Sequence, residues 1–369
     1  MTNTENEFYI DHFKELVSRL KSSDWKVRNL ARKELRELDN SKSYKTLIEA
    51  LDSPDPYVQL VAANHLFTQE QTRSIEVLLS LLVNGKASLQ LETINALGRF
   101  RVNRAVEPIL QILIDKNLQI WLRNAAGKAL GEINDTRAIT PLTNVFLDES
   151  DVELDINDVG AREVAAISLT KFGSKTSQVF LASIAKGNNG TRWLAALALG
   201  KLGNREATPY LIPLLSDEDV TVRRYTAVAL GQIRDKRAAE ALSRLLQIEK
   251  NNYVREKVVL ALGEIADMRS LEPLMHILET PSSASSSRAK AAEILGELGD
   301  IKAATLLIQA LKDKEADVRV KSAQALAHLG FKKALPDLEW IIQNPNGVRH
   351  YNQIAQDALL KAFEDLKNL

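Results

Sequence analysis

The sequence predicts an all-α, α-α superhelix of about eleven helix pairs, and three observations carry that reading. A short pattern returns along nearly the whole chain. It reads Val222-Arg223-Arg224-Tyr225-Thr226-Ala227-Val228-Ala229-Leu230-Gly231-Gln232-Ile233, then Val254-Arg255 running to Ala261-Leu262-Gly263-Glu264-Ile265. It recurs from Arg288 to Leu295-Gly296-Glu297-Leu298 and from Val318-Arg319 to Ala325-Leu326. The Leu follows the Arg by seven residues each time, so the copies share one helical register. No window shows a sustained strand alternation between hairpin signals. A fixed period of this size marks a repeat protein, which grows along one axis rather than dividing into domains.

Aligned on the Arg-equivalent position, the units fall at Arg28, Gln59, Gln90, Arg123, Arg162, Arg192, Arg223, Arg255, Arg288, Arg319 and Asn352, with steps of 30 to 39 residues. Each holds two apolar-periodic segments, such as Thr208 to Leu215 and Val220 to Ile233, joined by a tight loop carrying Asp217 and Asp219. Gly299-Asp300 and Gly203-Asn204 close helices, and Pro209 and Pro213 sit in the next segment. Helix, tight loop, second helix is the natural reading. Residues 1–369 are therefore expected to form a single solenoid. Two segments interrupt it: an acidic insertion at 148–158, read as a solvated, partner-facing loop, and a Ser-rich loop at 281–287, read as a flexible inter-helix connection.

Composition narrows the function classes. Lys plus Arg and Asp plus Glu are equal at 48 each, so the net charge is zero. That balance argues against a phosphate-reading surface, and no nucleic-acid partner is expected. Cysteine is absent, which removes disulfides, thiolate nucleophiles and Cys-based metal sites and suits a reducing cytoplasm. No stretch of about 18 apolar residues and no leader-like start occurs, so a soluble, cytoplasmic protein without a membrane partner is expected.

Catalytic constellations are missing as well. The five histidines, His12, His65, His276, His328 and His350, form no H-E-x-x-H or His-Glu pair. There is no G-x-S-x-G elbow, P-loop or strand-linked G-x-G-x-x-G. The acidic insertion lacks the spacing and turn glycine of a calcium loop. The glycines of the Ala-Leu-Gly triplets are read as structural, letting neighbouring helices approach or end. No catalytic, cofactor-binding or metal-binding residue is assigned.

The signature D-x-x-V-R-x-x-A-A-x-A-L-G-x-[IL]-G-D resembles HEAT-like repeats of the phycobilisome-lyase type. Asp219 to Asp235, Asp317 to Gly330, Arg123 to Asp135 and Arg288 to Asp300 carry most of it. The resemblance covers essentially the whole chain. It implies that second helices line a concave surface, and that a loop Asp and helix Arg form a polar ladder, here Asp219 with Arg223 and Asp317 with Arg319. Gln59 and Gln90 depart from it. The family includes binding scaffolds, bilin lyase subunits, phycobilisome-disassembly factors and a few enzymes, so the fold does not choose among them.

Helical phase is more discriminating. With the Arg-equivalent at zero and about 100° per residue, positions −1, +3, +4, +7 and +10 point to the core. Most aromatics fall on the opposite stripe: Trp121 and Tyr253 at −2, Trp193 at +1 and Tyr225 at +2. Position +5 on the same stripe reads Ile167, Leu197, Val228 and Leu260 in four successive repeats, but is polar elsewhere. Arg224 and Lys257 border it. A contiguous apolar and aromatic strip marks a binding surface. The expected function is a non-catalytic scaffold gripping another protein in its concave groove. The alternative is a bilin-handling protein, a lyase subunit or disassembly factor, with Trp and Tyr stacked on a phycocyanobilin-type tetrapyrrole.

Overall fold

The computed structural model describes residues 12, 15, 16, 18, 19, 22, 24–36, 44, 47–150, 160–344 and 353–369. Every regular element among them is helical. The chain divides into two compact units, Met1–Thr176 and Ser177–Leu369. The first holds α1 (Trp25–Arg36), α2 (Pro56–Leu66), α3 (Gln71–Asn84), α4 (Ala87–Arg99), α5 (Val106–Ile114), α6 (Ile120–Ile133), α7 (Ile139–Leu147) and α8 (Ala161–Leu169). The second holds α9 (Ser177–Lys186), α10 (Asn189–Leu202), α11 (Thr208–Leu211), α12 (Val220–Ile233), α13 (Ala239–Ile248) and α14 (Asn252–Ile265). It continues with α15 (Leu271–Glu279), α16 (Ser285–Leu298), α17 (Ala304–Ala310), α18 (Ala316–His328), α19 (Leu335–Gln343) and α20 (Gln353–Asn368).

Within the second unit, α10, α12, α14, α16, α18 and α20 are the second helices, each packed on the next, while first helices such as α13, α15, α17 and α19 form the other layer. The five core offsets read from the sequence hold: Val222, Thr226, Ala227, Leu230 and Ile233 of α12 are all buried. Each such Leu or Ile removes enough apolar surface to contribute about 1.5–3 kcal/mol. Asp219 starts α12 by accepting from the backbone N–H groups of Thr221 and Val222 at 2.7 and 3.1 Å. Such a cap satisfies two donors that the first turn cannot pair internally. Pro213 has no N–H to continue α11, which tightens into a 3-10 turn over Ile212–Ser216.

Lateral spacing of the second helices follows from one glycine. A Cβ on Gly231 of α12 would lie 2.9 Å from Ala261 Cα of α14, and one on Gly200 of α10 would lie 2.7 Å from Ala229 Cα of α12. Position +8 of one repeat thus faces position +6 of the next, and only the absence of a side chain allows that approach.

The polar ladder differs from its expected form. Asp219 does not pair with Arg223, because its carboxylate caps the helix and accepts from Asn189. Arg223 instead grips Glu249 of the following repeat, as Arg192 grips Asp217 and Arg288 grips Asp313. Arg319 likewise does not pair with Asp317; it donates to the backbone carbonyls of Asp313 and Lys314. Gln90 keeps a shortened version, donating to Leu82 O at 2.9 Å. A second ladder runs along the other edge, where Arg237 clasps Asp235 and reaches Arg205 O one repeat back, and Arg269 clasps Asp267 and reaches Lys236 O.

The Ser-rich segment is loop only as far as Ala284. Helix α16 begins at Ser285, and buried Ser283 accepts from Arg255 through its hydroxyl and from Arg288 through its carbonyl. Of the acidic insertion, residues 151–158 lie outside the described residues. At its start, hydrogen bonds from Lys116 and Ser150 hold the Asp148 carboxyl down at about 2. Among the described residues no helix is long and apolar enough to cross a membrane.

Candidate functional site

Because Gly200 draws α10 and α12 together, side chains on their core-averted faces meet across the groove between them. Trp193 of α10 stacks on Tyr225 of α12, with ring centroids 4.7 Å apart and planes inclined by 27°. The Arg224 guanidinium carbon lies 4.8 Å from the centroid of the Tyr225 ring. Such a ring pair is worth about 0.5–1.5 kcal/mol beyond its buried area, and a guanidinium over a ring about 0.5–1 kcal/mol at an exposed site. Neither ring is buried; both keep part of their surface in solvent, as do Leu197 and Val228 on the same stripe.

On α14 the stripe opens further. Tyr253 is 71% exposed and Leu260 36%. Asn251 caps the helix start, accepting from the first-turn N–H groups of Tyr253 and Val254. Lys257 beside it is held by Glu256 at 3.0 Å. The remaining two candidates lie in the first unit. Trp121, on α6, is 42% exposed, and Ile167, on the adjacent α8, is half-buried. The structure thus brings Trp193, Arg224 and Tyr225 into direct contact and places Leu197, Val228, Tyr253, Lys257 and Leu260 along the face they share.

Farther along the second unit the same offsets carry charge. Glu293 of α16 accepts from Lys290 on its own helix and from Lys321 of α18, the latter at 2.7 Å. Burial opposes its charge, but the two ammonium groups outweigh that cost and hold its pKa below the ordinary value. Sequence reading missed this network, although Lys257, Lys290 and Lys321 share offset +2 and could have signalled it. It also missed a ring stack in the first unit. Phe67 lies 3.8 Å from Phe100, centroid to centroid, and Arg99 covers Phe100 at 4.7 Å. The signal there was Phe67 itself, which stands at offset +8 where six other repeats place glycine.

The face offers rings, aliphatic side chains and charges of both signs. Among the described residues no group of three or more His, Asp or Glu side chains is arranged to hold a metal.

A family model described as HEAT repeats matches residues 13–89, 75–156, 153–228, 208–285 and 282–356. The phycocyanobilin lyase subunit alpha of Nostoc sp. is 39% identical over 103 residues, which are 25% of this chain and 37% of that protein. Crystal structures of Kap121p share the fold at low identity. Kap121p bound to Ste12p matches with a TM-score of 0.63 and 15% identity over 97% of this chain and 45% of that one. The karyopherin Kap121p bound to the extreme C-terminus of the protein phosphatase Cdc14p gives 0.61 and 15% over 96% and 45%. The chain spans less than half the length of each of these proteins. With family matches running from residue 13 to 356, this chain belongs to the HEAT-repeat proteins.

Proposed function

We propose that the chain is a non-catalytic protein-binding scaffold that grips a partner on the face of its second helices. The single observation behind this is the solvent-open stack of Trp193 and Tyr225 with Arg224 above it. Aromatic and Arg side chains at the centre of a face, bordered by charge, are the composition of binding hot spots. Tyr253, Leu197, Val228 and Leu260 extend the apolar area, and Lys257 rims it; Trp121 and Ile167 offer a second patch on the first unit. The fold likeness to Kap121p, crystallised with Ste12p and with a Cdc14p segment, supports the reading. A cysteine-free composition fits work in a reducing compartment such as the cytoplasm. Affinity purification from the source organism with mass spectrometry names the partner. Titration of that partner then separates wild type from Trp193→Ala and Tyr225→Ala, and equal affinity in all three ends the proposal.

A second reading rests on the 39% identity to a phycocyanobilin lyase subunit. In it the Trp193–Tyr225 pair stacks on a bilin, and Arg224 or Lys257 pairs with propionates. Adding phycocyanobilin to the full chain and scanning its visible absorbance decides the matter. A spectrum equal to the sum of its parts removes this reading.

A further inference from the structure

Three arginines at the starts of second helices, Arg192, Arg223 and Arg288, work by one rule. In each of these three rungs Nη1 donates to a backbone carbonyl of the loop just before, while Nε and Nη2 form a fork on one carboxylate of the next repeat. Arg192 holds Asp217 at 2.8 and 3.0 Å, Arg223 holds Glu249 at 2.7 and 3.2 Å, and Arg288 holds Asp313 at 3.0 and 2.9 Å. The acid stands 25 or 26 residues after the Arg, in the loop that precedes the next second helix.

Arg319 keeps the first half of the rule and lacks the second. Its Nη1 donates to Asp313 O at 2.9 Å and Lys314 O at 3.1 Å. It is 1% exposed, yet Nε and Nη2, the two nitrogens that form the fork elsewhere, are buried without a hydrogen-bond partner. Twenty-five residues on stands Asn344, whose amide donates to Trp340 O. The sequence from Pro345 to Asn352 contains no Asp or Glu. Asp313 is engaged by Arg288, and among the described residues no carboxylate closes a fork on Arg319. A buried guanidinium without a counter-charge costs several kcal/mol, which an external acid relieves. Burial depresses the Arg319 pKa despite Asp313 and Glu315 nearby, in keeping with a cation short of compensation.

We propose that Arg319 is a receptor for a carboxylate that this chain does not supply, bound bidentately through Nε and Nη2 as Asp313 is bound on Arg288. The ligand is either a small free carboxylate or an Asp or Glu side chain of a bound protein. The site does not depend on the aromatic stack around Trp193 and stands whether or not that face is an interface.

The test is thermal unfolding of the full chain in three settings: sodium acetate against sodium chloride at matched ionic strength, a hexaglutamate peptide, and a hexaglutamine peptide as control. A ligand that favours the folded state raises Tm with the logarithm of its concentration once above its Kd. A rise in acetate assigns a free carboxylate. A rise with hexaglutamate alone assigns a protein side chain. Asn344→Asp, which restores the spacing of Asp313 from Arg288, is expected to raise Tm in plain buffer and abolish either response. Arg319→Gln abolishes it too; should that variant not fold, Asn344→Asp carries the comparison. No rise in either arm, or an undiminished rise in Asn344→Asp, overturns the proposal.

Discussion

Two stretches of the second unit share one architecture and differ in what they show to solvent. In α10, α12 and α14 the core-averted offsets carry Trp193, Leu197, Tyr225, Val228 and Leu260. In α16 and α18 the equivalent places hold Lys290, Glu293, Lys321 and Gln324. Both stretches pack second helix on second helix through a glycine, Gly231 against Ala261 in one and Gly296 against Ala325 in the other. Lateral packing is therefore satisfied by charged residues at these offsets and does not require rings. The rings are not needed to hold second helices side by side, which is the physical reason for proposing a recognition role for them.

That inference breaks if the two stretches rest on different scaffolds, so the ladder beneath them gives the largest test. Asp313→Ala in the charged stretch and Glu249→Ala in the aromatic one each leave a largely buried guanidinium unpaired. Each is expected to cost about 3 kcal/mol or more in urea unfolding. A cost below about 1 kcal/mol at either rung would show that the stretches are not equivalently held.

The next test separates binding from stability. Trp193→Ala removes a ring whose stacking is worth about 0.5–1.5 kcal/mol, so the fold survives. Loss of a hot-spot ring costs about 2 kcal/mol or more in affinity, roughly thirtyfold in Kd. Lys290→Ala in the charged stretch should leave the same partner's Kd within about threefold, as expected of a position outside the hot spot. Equal losses from both substitutions would erase the distinction between stretches.

The sequence made much of this legible and some of it not. The period and phase came through because repetition averages out local noise: the core offsets at Val222, Thr226, Ala227, Leu230 and Ile233 were readable, as were the spacing glycines. The ladder partners were not. The resemblance implied Asp219 for Arg223, but a helix-capping carboxylate is already committed to backbone N–H groups, and the true partner comes from the next repeat. The serine run misled by composition. Ser285 begins a helix because the repeat phase requires Arg288 in its first turn, and packing of that turn overrides weak propensity. The strip was visible as a pattern, but the contact of Trp193 with Tyr225 depends on interhelical distance, which no single helix encodes.

A smaller effect tests the helix ends. Residues just past the last turn adopt positive φ: Arg234 at 56° and Ala266 at 51° in the aromatic stretch, Gly299 at 75° and, one residue later than the others, Gly330 at 62° in the charged one. A Cβ is strained there, so Ala266→Gly is expected to stabilise by about 0.5–1 kcal/mol and Gly299→Ala to destabilise by a similar amount. Thermal melts of the two variants should move in opposite directions. Shifts of the same sign would mean the helix ends relax independently of the cap.

The smallest effect is pH-dependent and separates the stretches by their acids. Glu293 has a folded pKa below its ordinary value, so its contribution is present above the unfolded pKa and fades as pH falls through the folded one. Asp235 and Asp267, each held down to about 2 by hydrogen bonds from Arg237 and Arg269, follow the same sign at lower pH, between an ordinary 3.8 and about 2. The ammonium partners of Glu293 are partly solvent-exposed, and screened pairs of this kind are worth about 1 kcal/mol or less. Glu293→Gln should therefore lower stability slightly at neutral pH and not at all once pH is below the folded pKa of the carboxylate. The wild-type and variant stability curves converge on acidification. Curves that stay parallel down to about pH 2 would show that Lys290 and Lys321 do not stabilise the charge on Glu293, and the polar stretch would then be merely solvated rather than held as a network.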